Sequence, residues 1–257
     1  MSFAIARASL THVRVPLVEP FRISSGAVAE KDGLVVQLES NGLMGVGESS
    51  PMSGSFYSSD TPESCWQELK EQLIPSLLTQ EFESHAAAVD WINAQAGSNF
   101  AKTGIETALW DLEARRQGKP LYELLGGTNR PVESGLAVGL YETPSEMLRA
   151  IEKYLVDGYK RVKIKIERGR DVELIRAVRE TFGDIPLFVD ANGAYDLSDL
   201  DVFRALDEFD LMMFEQPFAG TRLAESAQLQ RAVRTPVCLD ESLESVHDLR
   251  HAISLGS

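Results

Sequence analysis

Four residues of the 257-residue chain recur at one interval: Lys165, Asp190, Glu215 and Asp240 each follow the last by 25 positions. Each stands at the end of a short apolar run, so a repeating strand–helix unit would set them side by side on one rim. The three carboxylates, with no histidine or thiolate among them, make a hard, oxygen-only donor set that selects Mg²⁺ or Mn²⁺ over zinc. Crowded negative charges repel, and a divalent cation between them would make the cluster tenable. A single strand-end Asp more often caps the next helix, but three in step reverse that weighing. Lys163 lies two positions before Lys165 and so shares its strand face. Two neighbouring ammonium groups lower one another's pKa, which brings a lysine within reach of base catalysis near neutral pH. An exposed edge strand with alternating lysines is the plainer reading, and the apolar Val162, Ile164 and Ile166 weigh against it. A lysine base facing Mg²⁺ suits proton abstraction next to a carboxylate, where the metal stabilises the ene-diolate.

The elements that must carry these residues fall into two parts. Residues 3–15 alternate as a strand, and runs at 34–40 and 43–48 flank Asn41-Gly42, a pair that favours a tight hairpin turn. Thr61-Pro62 opens a helix over 62–77, and helical spacing recurs over 86–96 and 100–117. Strands followed by helices predict an α+β domain over residues 1–128. From residue 129 to 257 the pattern alternates, with apolar runs at 135–140, 161–166, 186–190, 211–215 and 235–240. Thr143-Pro144-Ser145-Glu146 is a capping box, ahead of an apolar face of Met147, Leu148, Ile151, Tyr154 and Leu155. Successive units of this kind predict a parallel sheet with right-handed crossovers, as in a doubly wound sheet or a barrel.

Composition narrows the partners. Apolar residues make up 44% and charged residues 25%, which excludes a disordered or fibrous chain. A net charge of −14, without segregated basic residues, argues against nucleic acid and anionic membrane surfaces. Two distant cysteines, Cys65 and Cys238, argue against a disulfide scaffold or zinc knuckle. No secretory signal or 18-residue apolar run occurs, so the expectation is a soluble cytoplasmic protein. His247 and His251 are one helical turn apart and read as a solvated face. Gly45-Val46-Gly47 lacks the third glycine of a phosphate loop, Cys238 reads as core and Trp110 as helix packing.

Residues 162–167 (VKIKIE), 189–195 (VDANGAY), 214–217 (FEQP) and 239–242 (LDES) resemble the barrel motifs of the muconate-lactonizing subgroup of the enolase superfamily. The likeness extends to PFRISSG at 20–26, GVGESSPM at 45–52 and the helix-rich 101–127, so it spans nearly the whole chain. It implies a capping domain over 1–128 and a TIM-like (β/α)7β barrel from 129 onward. It also implies Asp190, Glu215 and Asp240 as Mg²⁺ ligands and Lys165 as the acid/base, with Lys163 and Asn192 as polar support. PFRISSG together with FYSSDT at 56–61 most resembles the o-succinylbenzoate synthases, some of which racemise N-acylamino acids. By that resemblance the substrate is a small-molecule carboxylate, dehydrated in menaquinone biosynthesis. Phe21, Arg22, Ser24 and Tyr57 would contact it, and the 20–26 loop would close over the site. N-acylamino acid racemase, dipeptide epimerase and muconate cycloisomerase share the same acids and lysines, and a non-catalytic assembly subunit is the reading from another class.

Five barrel strands are countable before Ser257, whereas a barrel of this type closes with eight. The expectation is therefore a fragment, a truncated product or one piece of a split enzyme, with a further C-terminal segment supplying three strands. That segment would include the lysine that the family carries opposite Lys165. Racemisation, which needs a group on each face, is then not expected from residues 1–257 alone, and a homo-oligomer stays open.

Overall fold

The computed structural model describes residues 3–23, 26–53 and 58–257, so Ser24 and Tyr57 of the expected substrate loops lie outside the described residues. The chain divides into two compact units. One comprises residues 1–20 and 28–130, the other residues 21–27 and 131–257. The junction falls two residues beyond the sequence-derived boundary. Residues 21–27 group with the second unit because the Leu140 amide donates to the Arg22 carbonyl (3.1 Å).

In the first unit, β1 (Phe3–Ala4), β2 (Arg7–Ile23), β3 (Gly26–Ser40) and β4 (Leu43–Ser49) precede the helices. The sheet order is β2-β3-β4. The predicted hairpin forms: Asn41 and Gly42 have φ of 50° and 76°, and the antiparallel β3–β4 ladder runs from Ser40–Leu43 to Leu34–Ser49. The helix expected over 62–77 comprises α1 (Pro62–Glu68), a π turn at Leu69–Leu73 and α2 (Ile74–Leu77), with Thr61 as the N-cap. A short β5 (Glu81–Phe82), not foreseen, pairs antiparallel with β1. Then come α3 (His85–Ala94), α4 (Asn99–Gln117) and α5 (Leu121–Leu124). Leu34, Val36 and Leu38 alternate inward from β3 into one core with Ile105, Leu109 and Leu112 of α4. Strand β4 reaches that helix through glycine: a Cβ at Gly47 would stand 2.3 Å from the Gly104 carbonyl oxygen.

The second unit alternates strand and helix as predicted. Its elements are β6 (Gly135–Val138), α6 (Pro144–Val156), β7 (Arg161–Lys165), α7 (Asp171–Phe182), β8 (Leu187–Asp190), α8 (Leu200–Leu206), β9 (Phe214–Glu215), α9 (Leu223–Ala232), β10 (Val237–Cys238) and α10 (Val246–Leu255). The five strands lie in sequence order and pair in parallel, consistent with part of a TIM-like barrel. Thr143 and Glu146 form the expected capping box on α6. Val162, Ile164 and Ile166 are buried with Ile151 of α6 and with Ile175 and Val178 of α7. Lys163 and Lys165 therefore point to the opposite face of β7.

Candidate active site

The 25-residue interval is visible in the ladder: Lys165 stands opposite Asp190, and Asp190 opposite Glu215. On the last strand it slips. Glu215 is paired with Cys238, so Asp240 lies two residues beyond the strand-end position that its spacing predicts. Strand β10 is only two residues long, and the chain leaves the sheet before Asp240 is reached.

Asp190, 1% exposed, is the centre of charge. Its Oδ2 accepts from Lys165 Nζ at 2.5 Å and meets Lys163 Nζ at 2.8 Å, while Lys163 also donates to Glu215 Oε1. Burial works against the Asp190 carboxylate, but the two lysines outweigh it and hold the group below the usual aspartate range. The Glu215 carboxyl is shifted the other way. Burial raises it, and the charges of Asp190 and Asp240 add to that against the single opposing Lys163.

The expected mutual lowering of the two lysines is overturned for Lys163. Burial does push its ammonium down, yet its hydrogen bonds to Asp190 and Glu215 prevail and hold it above the ordinary lysine value. Each ammonium is a closer neighbour of carboxylate than the sequence-level reading allowed, and opposite charge at contact distance outweighs like charge. Cys238 is half-buried, and its thiol is pushed up by burial and then by the charges of Glu215 and Asp240.

Among the described residues no three His, Cys, Asp or Glu side chains stand close enough to hold an ion as arranged. The Lys163 ammonium lies against both Asp190 and Glu215. The donor set still fits a hard divalent cation. Its groups are the carboxylate oxygens of Asp190, Glu215 and Asp240 alone.

Asn192 sits in the left-handed region (φ 44°), its amide donating to Asp190 Oδ1 at 2.8 Å. Its side-chain oxygen accepts from Lys165 Nζ at 2.7 Å. Arg22 and Phe21 lie at the end of β6. A Cβ on Gly139 would come within 2.8 Å of the Arg22 carbonyl oxygen and 3.5 Å of the Phe21 ring, and the Arg22 guanidinium meets Glu142 at 3.7 Å. His247 and His251 are exposed on α10, and Trp110 packs edge-on against the His85 ring.

Two residues of the site escaped the sequence reading. Gln216, fully buried at φ 37°, receives the amides of Asp240 and Ser242 on Oε1 and donates from Nε2 to Ser242 Oγ and the Phe218 carbonyl. Glu241 accepts from Asn192 Nδ2 at 3.0 Å. Both lie inside motifs already quoted, FEQP and LDES, but uncharged Gln216 carries no chemistry of its own and Glu241 falls outside the 25-residue interval.

Parallel strands that end in lysine and carboxylates, with the lysines on the face away from the helices, have the arrangement of an enolase-type barrel. Residues 5–126 match the mandelate racemase / muconate lactonizing enzyme N-terminal domain, and residues 146–257 match the enolase C-terminal domain-like family. The chain belongs to this enolase-superfamily group, in its muconate-lactonizing branch. It is 42% identical to an o-succinylbenzoate synthase of Geobacillus kaustophilus, over 100% of this chain and 69% of that protein. It is 36% identical to an N-succinylamino acid racemase of Thermus thermophilus, over 98% of this chain and 69% of that protein. A crystal structure of an enolase-superfamily member from Listeria innocua superposes with a TM-score of 0.93 at 33% identity, over 99% of this chain and 69% of the other.

Proposed function

We propose that this chain is a Mg²⁺-dependent carbon–oxygen lyase of the o-succinylbenzoate synthase type, acting on a cyclohexadiene carboxylate in cytoplasmic menaquinone biosynthesis. The observation that carries the reading is Lys165, held by Asp190 and Asn192 at the end of β7, in a chain 42% identical to an o-succinylbenzoate synthase. Lys165 removes the proton α to the substrate carboxylate. It then returns that proton to the hydroxyl leaving from the same face, so that a C–H and a C–O bond break, a C=C bond forms and water departs. Lys163 contributes positive charge beside the reacting carboxylate. Asp190, Glu215 and Asp240 would hold Mg²⁺, which when bound supplies further positive charge to that carboxylate. Phe21, Arg22, Ser24 and Tyr57 would contact the rest of the substrate.

The likeness to the Thermus thermophilus relative supports a second reading, racemisation of an N-succinyl amino acid. One pair of assays separates the two. Dehydration of the cyclohexadiene precursor is followed by absorbance, and α-proton exchange and racemisation of an N-succinyl amino acid by NMR in D₂O. Dehydration outpacing racemisation supports the lyase. The reverse order transfers the chain to the racemases, and neither activity with Mg²⁺ present overturns both.

A further inference from the structure

Asn192 stands between an obligate donor and an obligate acceptor. Lys165 Nζ, which accepts nothing as an ammonium, donates to its Oδ1 at 2.7 Å, and Glu241 Oε1, which donates nothing as a carboxylate, accepts from its Nδ2 at 3.0 Å. Carboxamide oxygen and nitrogen are nearly the same size, so packing alone does not choose between the two orientations of Asn192. Glu241 and Lys165 make the choice together, because the reversed amide would set Oδ1 against a carboxylate and Nδ2 against an ammonium.

Glu241 is itself held firmly. The amides on either side of it, those of Asp240 and Ser242, both donate to the buried Gln216 side chain, at 2.8 and 3.3 Å. A Cβ at Gly220 would come within 2.8 Å of the Glu241 carbonyl oxygen, so the backbone there is packed closely as well. The second carboxylate oxygen of Glu241, Oε2, is buried with no hydrogen-bond partner among the described residues. An apolar or hydroxyl side chain would avoid that unmet acceptor, and its presence is unexplained by stability.

We infer that Glu241 is a positioning residue for Lys165, acting through Asn192: it fixes the amide orientation that holds the lysine nitrogen at the strand end. This rests on the proposed role of Lys165 as base and adds a member to the site from a different strand-end loop.

The test compares Glu241→Leu, which removes the acceptor, with Glu241→Gln, whose carboxamide oxygen still accepts from Asn192. Glu241→Ala replaces the leucine variant where that variant does not fold. The Asn192 side-chain amide is followed by ¹⁵N–¹H NMR, and α-proton exchange of the carboxylate substrate is followed in D₂O with Mg²⁺ present. The expected result is loss of the hydrogen-bonded Asn192 signal in Glu241→Leu, with kcat for exchange falling about tenfold to a hundredfold. KM should stay within about threefold, and Glu241→Gln should recover most of both readouts. An unchanged Asn192 signal in Glu241→Leu would overturn the inference. So would equal losses in both variants that track a fall in melting temperature, since that pattern marks a purely structural role. Should the parent chain show no exchange, the lyase and racemase readings fail, while the Asn192 signal still decides whether Glu241 orients the amide.

Discussion

Lys165 is 7% exposed and meets a carboxylate and a carboxamide oxygen, so its nitrogen is directed by polar contacts as well as by β7. Its replacement by alanine should abolish α-proton exchange while the far-ultraviolet spectrum and melting curve remain folded. Exchange at the parental rate would move the base elsewhere. Lys163→Ala should reduce kcat by about ten- to a thousandfold without abolishing it, because its part is electrostatic. At Glu215 the argument concerns charge. Glu215→Gln keeps the shape and removes one of three negative charges, so Mg²⁺ affinity measured by calorimetric titration should fall by about tenfold or more. An unaltered titration would remove Glu215 from the ligand set.

Where elements meet, two contacts make sharp predictions. β4 lies so close to α4 that a methyl group at Gly47 would press on the Gly104 carbonyl and the Ala108 amide at 2.3 and 2.5 Å. Gly47→Ala should therefore destabilise the chain by about 3 kcal/mol in urea denaturation, and a loss within experimental error would show that the helix can shift. The second contact ties Asp207, just after α8, to the approach to β10. Asp207 accepts from the amide and hydroxyl of Thr235, both at 2.7 Å, and from the Arg234 amide. Burial opposes its charge, but these hydrogen bonds prevail and lower its pKa from 3.8 to about 2. A carboxylate depressed on folding adds stability that is complete above its unfolded pKa and is lost as the pH falls toward the folded one. Asp207→Ala should therefore cost about 2 kcal/mol at neutral pH, with the gap from the parent closing between about pH 4 and pH 2. A gap independent of pH would mean that packing, not charge, is what Asp207 supplies.

Over the whole molecule the excess of acid dominates. A net charge of −14 sets like charges against one another in the folded chain. Surface pairs such as Arg168 with Asp196 and Asp199 weaken as salt is added, while the repulsion among the unbalanced acids is screened at the same time. Raising NaCl from about 0.02 to about 0.5 M, over which the Debye length contracts several-fold, should raise the urea midpoint. A falling midpoint would mean that the ion pairs outweigh the repulsion. Each unit carries its own apolar core, one around Leu34, Leu109 and Leu112, the other around Ile164, Phe203 and Phe214. Among the described residues no helix is long and apolar enough to cross a membrane.

By itself the sequence determined the alternation of strand and helix after residue 130, the Asn41-Gly42 turn, the Thr143–Glu146 capping box and the shared face of Lys163 and Lys165. All of these follow from local rules of period, turn chemistry and capping that act within a few residues. The 25-residue interval located Lys165, Asp190 and Glu215 because in-register parallel strands turn equal spacing into adjacency. Only the tertiary structure decided the rest. Asp240 leaves the register because β10 sets Cys238, not Asp240, opposite Glu215, Lys163 is raised because carboxylates from two other strands reach it, and Glu241 meets Asn192 across 49 positions of chain. Each of these depends on which groups distant in sequence come within hydrogen-bond reach, and spacing along the chain carries no measure of that distance.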